Sequence, residues 1–178
     1  MHDKINVYSK FFADKMLGEI NKILDVEALN ATVCMIYISI DALAYLSMPT
    51  QQKETKRKDF INWVDTYLKT DSSQSYQYCG KDFYASRCGK IHTYTPYSSY
   101  GKNQNCKIFG FHDGSEHIYN PKENEQLVLI SIPRVAHDFS TALEKFINDM
   151  RVNADLKLRV DSRINNVYVE FDFDENRV

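Results

Sequence analysis

The chain has 178 residues, 43% hydrophobic and 26% charged, with six Gly and four Pro; this is the make-up of one globular domain, and it excludes collagen-like and disordered classes. A formal net charge of −2 excludes a protein that coats nucleic acid by bulk electrostatics, so any RNA contact has to be local. Cys34, Cys79, Cys88 and Cys106 form no CxxC pair and follow no signal-peptide pattern, which predicts reduced thiols and a cytoplasmic location.

Residues 3–24 place Ile5, Tyr8, Phe12, Met16, Ile20 and Ile23 at spacings of three and four, the pattern of an amphipathic surface helix. Asp25 is the expected cap of a central helix from about Val26 to Met48 that is apolar nearly all round. Its length suits a bilayer, but Asp41 near the middle, with Asn30, Thr32, Ser39 and Ser47, makes insertion costly, and the membrane reading is rejected. A carboxylate in so apolar a helix has to be paired, hydrogen-bonded or protonated. Asp41 either orients Arg87 or His92, or bonds a tyrosine hydroxyl or backbone amide in the core.

The basic run Lys53, Lys56, Arg57, Lys58 is expected as the solvated first turn of a third helix carrying Phe60, Trp63, Val64, Tyr67 and Leu68. Thr70–Gln77 is a polar loop. Next comes the stretch 82–96, in which Tyr84, Cys88 and Ile91 are expected to form a buried helical stripe while Pro96 biases Thr95 out of the helical region. The helix should end near Tyr94, with His92 in its last turn. Residues five apart on an ideal helix are separated by about 140°, so Arg87 and His92 of one molecule are expected to diverge, and a second copy to supply the missing partner. Gly89, costly inside a helix, is then explained by close approach of a partner backbone.

From 97 to 132 helical periodicity gives way to an insertion, with a β-hairpin expected over about 107–132: strands at 107–111 and 126–132, and turn signals Asp113-Gly114 and Asn120-Pro121 between them. His112, Asp113, Glu116 and His117 in the turn are ligand-type residues, as are Cys79, Cys88 and His92. Neither set has the spacing of a recognised site, so no metal is assigned. Pro133 opens a helix with the stripe Val135, Phe139, Leu143, Phe146, Met150, and Leu156, Val160 and Ile164 extend another. The tail alternates apolar Val167, Val169, Phe171, Phe173 with Tyr168, Glu170, Asp172, Asp174, predicting a strand at about 166–174 that pairs within the chain or across a dimer. No P-loop, GxGxxG, HExxH or GxSxG motif is present, and no cofactor is assigned. The expected fold is mainly α, one domain over 1–178.

Arg87-x4-His92 at the end of a helix in a helical domain resembles the HEPN superfamily, and the run from the Arg57–Tyr67 helix through His92 is similar to a bacterial subgroup of it. The resemblance implies an antiparallel helical bundle that homodimerises, so that Arg87 and His92 of each copy converge in a composite, metal-independent ribonuclease site leaving a 2′,3′-cyclic phosphate and a 5′-OH. It implies an RNA substrate and no DNA, and the range of roles includes a toxin or phage-defence effector with an antitoxin partner. Tyr84 and Lys90 flank the motif, where they could hold a base or a neighbouring phosphate. Cys88 stands where the family often has a polar residue after the Arg. The alternative is therefore a catalytically silent nucleotide- or RNA-binding module, or a protein-interaction scaffold.

Overall fold

The computed structural model describes residues 7–168. Helix α1 is π-wound over Ser9–Gly18 and continues as an α-helix over Glu19–Asp25; it buries Phe11, Phe12, Met16 and Ile20, and the expected residues 3–6 lie outside the described residues. Asp25 ends this helix rather than capping the next. Glu27 takes a left-handed φ of 57°, and α2 runs from Leu29 to Ser47 with Ala28 before it.

Helix α2 is the central element. Val33, Ile36, Tyr37, Ile40, Leu43, Ala44 and Leu46 are buried, and it packs against α1, α3 (Arg57–Trp63, π-wound onward over Val64–Leu68), α4 (Gly80–Thr93), α6 (Ile132–Val152) and α7 (Ala154–Val167). It has the length and composition of a membrane span, but these protein neighbours cover it. The carbonyls at and just past its end do not go unmet: Arg159 Nη1 donates to Ser47 O at 3.2 Å, and the buried Arg163 donates to Met48 O and Pro49 O, both at 2.8 Å.

Two capping devices explain why α6 and α7 start where they do. Ser131 Oγ accepts from Arg134 N at 3.0 Å, with Pro133 in the first turn. Asn153 Oδ1 accepts from the backbone of Asp155 and Leu156, each at 3.1 Å. The expected stripes of both helices are all buried.

The β segment departs from expectation. Strands β1 (Ile108–His112) and β2 (Leu127–Ser131) pair in parallel, Ile108 opposite Leu127, so the segment is not a hairpin. The chain reverses twice between them, once at each turn signal, and two reversals restore the original direction. The middle run touches the other edge of β2 through the antiparallel bridge Ile118–Leu129, which leaves β2 central. A five-residue helix, α5 (Ser99–Asn103), precedes the strands where none was expected. Of the expected tail strand, Asn166 and Val167 complete α7; Val169 onward lies outside the described residues.

Candidate functional site

Helix α4 is fastened at both ends. At its start the Asp82 carboxylate accepts from Cys79 N at 2.8 Å and from Lys107 N at 2.7 Å, closing the first turn and tying it to the residue before β1. At its end Tyr94 takes a left-handed φ of 56° and donates to Gly89 O, to which Thr95 N also donates at 3.2 Å. Pro96 follows, so the helix stops where the sequence predicts. Gly89 is required by this turn: a Cβ there would stand 2.5 Å from Thr95 O and 2.6 Å from Tyr97 O. The backbone that approaches it belongs to its own chain, not to a partner.

Tyr37 Oη donates to Ser86 Oγ at 2.8 Å in the buried contact between α2 and α4. One turn along α2 from Tyr37, and one residue along α4 from Ser86, Asp41 meets Arg87. Asp41 Oδ2 accepts from Arg87 Nε at 2.8 Å and Nη2 at 2.6 Å, while Arg87 Nη1 lies 3.0 Å from His92 Nε2. A guanidinium can only donate, so Nε2 is the accepting atom of this contact. Arg87 and His92 of one chain therefore do converge. The 140° separation holds for the start of each side chain, and the long Arg87 stem, drawn along the helix between Asp41 and His92, closes the gap.

Burial pushes the Asp41 carboxyl above its ordinary pKa, against the opposing pull of the Arg87 hydrogen bond, the Arg87 charge and His92. Burial pulls Arg87 the other way, and the bond and charge of Asp41 more than restore it, leaving it above its ordinary value. Asp41 is thus the ion-pair partner of Arg87 rather than of a tyrosine hydroxyl or a backbone amide, the contact expected of a purely structural pair as well as of a positioning one.

His92 opens onto a cleft of about 570 Å³ whose other lining residues include Arg57, Tyr84, Cys88, Tyr100 and Lys102, with no Asp or Glu among the described residues that line it. Tyr84 packs edge-on against Phe60 at 5.5 Å and against Tyr100 at 5.2 Å. Burial raises the pKa of both Tyr84 and Tyr100, so both keep their protons at neutral pH. Arg57, expected as part of a solvated turn, lies over the Tyr100 ring at 4.3 Å and over Tyr84 at 5.7 Å. Cys88, one helical turn on from Tyr84 and next in sequence to Arg87, lines the same cleft. Lys90 is engaged elsewhere, bonded to Asn30 Oδ1 and lying over the rings of Tyr94 and Phe111.

The two histidines of the insertion bond its own backbone. His112 Nδ1 accepts from Gly114 N, and His117 Nδ1 from Ser131 N, both at 3.0 Å. Among the described residues no three His, Cys, Asp or Glu side chains converge in a way that could hold a metal ion. Comparison with protein-family models, with curated proteins and with solved structures finds no match.

Proposed function

We propose that this chain is a HEPN-like, metal-independent endoribonuclease that acts as a cytoplasmic homodimer, in the manner of a toxin or phage-defence effector held in check by a partner protein. The observation that carries the reading is the contact of Arg87 Nη1 with His92 Nε2 at 3.0 Å, braced by Asp41, at the edge of a cleft with no carboxylate among its described lining residues. Three of the five guanidinium N–H groups are engaged by Asp41 and His92, which leaves two for a phosphate oxygen. A phosphate that draws Nη1 toward itself frees the His92 Nε2 lone pair for the ribose 2′-OH proton. Arg87 then stabilises the charge that grows on the phosphate oxygens, where preorganised donors count most.

Cleavage also needs a proton delivered to the departing 5′-oxygen. Among the described residues His92 is the only histidine lining the cleft, so the second imidazole comes from a second copy, its Arg–His pair facing this one. The same observation favours a second reading, a module that binds RNA without cutting it: a chain that does not dimerise has the phosphate clamp and one proton carrier only.

The test is incubation of a mixed-sequence RNA with purified protein in excess EDTA, beside Arg87→Ala, Arg87→Lys and His92→Ala. Wild type should cut to 2′,3′-cyclic phosphate and 5′-OH ends and leave DNA intact. His92→Ala and Arg87→Ala should fall by at least about a hundredfold, and Arg87→Lys, which keeps charge but loses the planar fork, should also fall. Inert wild type, or variants that cut equally well, rejects the nuclease in favour of the binding module.

A further inference from the structure

We propose that the Arg57–Tyr100 stack, seated on Tyr84, is the base-holding subsite of the His92 cleft and restricts it to single-stranded RNA. Identification of the polymer rests on the ribonuclease reading; the subsite itself rests on the following geometry.

Tyr100 is held firmly for a residue on a five-residue helix. Gly101 brings α5 so close to α4 that a Cβ there would stand 3.2 Å from Ala85 Cβ, and Ser98 Oγ accepts from Gly101 N at 3.0 Å. Tyr84 meets the Tyr100 ring at an interplanar angle of 89°. Such edge-on support leaves the Tyr100 face to another group, and Arg57 lies over it at 4.3 Å. Arg57 is exposed, yet it lies on aromatic rings in a cleft with no carboxylate among its described lining residues. Its plane and the ring together form a surface on which an unpaired base can stack. Lys102, on the same helix as Tyr100, lines the cleft and supplies a point charge for a backbone phosphate. A base inside a duplex has both faces covered by its neighbours, so only an unpaired strand can use this surface while its phosphate reaches Arg87 and His92.

The probe is a fluorescein-labelled 2′-O-methyl oligonucleotide of mixed sequence, which has no free 2′-OH and cannot be cut, titrated with the full chain alone and after annealing to its complement. Wild type should bind the single strand at least about tenfold more tightly than the duplex. Arg57→Gln, at an exposed position that leaves folding intact, and Tyr100→Leu should each weaken single-strand binding about tenfold, while Tyr100→Trp retains it. Lys102→Ala should weaken binding and lower the salt slope by about one. No binding by wild type, equal affinity for the duplex, or unchanged affinity in both Arg57→Gln and Tyr100→Leu overturns the subsite. Cleavage in EDTA reports separately on the nuclease. Tyr100-dependent binding by a chain that never cuts supports the subsite and sinks the nuclease, whereas Arg87-dependent cutting that Tyr100→Leu leaves untouched sinks the subsite alone.

Discussion

Asp41 holds Arg87 at a cost to the fold. Its carboxyl pKa is raised by burial beyond what Arg87 and His92 offset, so the folded chain binds this proton more tightly than the unfolded chain does. Stability from this group is present in full below the ordinary value of 3.8 and is lost as pH rises through the raised value. Asp41→Asn has no such titration. Between pH 4 and pH 7 the thermal midpoint of wild type should therefore fall relative to that of Asp41→Asn, and parallel midpoints would show the carboxylate to be fully compensated. Arg87→Ala leaves Asp41 half-buried beside no cation and should lower stability by about 1–3 kcal/mol, with part of the loss recovered when Asp41→Asn is added. A pair that does not repay its burial in stability fits a role in positioning. Arg87, His92 and Asp41 were legible in the sequence because each breaks a local pattern: a carboxylate in an apolar helix, and a polar pair beside an apolar stripe. Their convergence was not, because a helical wheel follows the start of a side chain and not its far end. Arg57 was hidden among neighbouring lysines that resemble any solvated turn, and its ring partners lie far along the chain.

The helices followed from their apolar spacing, but in the motif helix the expected stripe Tyr84, Cys88, Ile91 is only half-buried, and Phe83, Ala85, Ser86 and Gly89 form the buried face: small and polar residues make no apolar signal. The short helix at Ser99–Asn103 has too few residues to show a stripe. The strands were found but their direction was not: alternation says which face is buried, whereas direction depends on the number of reversals, and Asp113-Gly114 and Asn120-Pro121 are two. The β segment and the 70–77 loop are bound to α6 by a buried charge cluster that spacing could not reveal. Asp138 is 4% exposed and accepts from Gln74 Nε2 at 3.0 Å. Arg134 Nε stands 3.3 Å from it, close enough for an ion pair though out of line for a hydrogen bond, and the same Arg134 bonds Asp71. His117 Nε2 lies 3.8 Å away on the insertion side. Arg134→Met leaves Asp138 with Gln74 and His117 alone and should destabilise by about 3–5 kcal/mol, read as a lower urea midpoint with an unchanged slope. A change under 1 kcal/mol would show that Gln74 and His117 suffice.

Across the whole molecule, residues 107–131 read in sequence as an insertion, but the fold treats them as part of its core. Phe109, Val128 and Ile130 are 1%, 0% and 0% exposed, and losing the Phe109 side chain alone should cost about 3–5 kcal/mol out of a typical total of about 5–15. Replacement of 107–131 by a short Gly-Ser linker should abolish cooperative unfolding by calorimetry; a sharp transition within a few degrees of wild type would show that the helices stand alone. Asp82 joins the start of the helix that carries Arg87 to the backbone at Lys107, and Ser131 ends β2 while capping α6. The segment is therefore no detachable cassette. A protein engineer will find no seam at its base, where a cut also frays the motif helix and α6. The exposed tip at 120–126 is different: it can receive a tag or a protease site while its flanking strands stay paired.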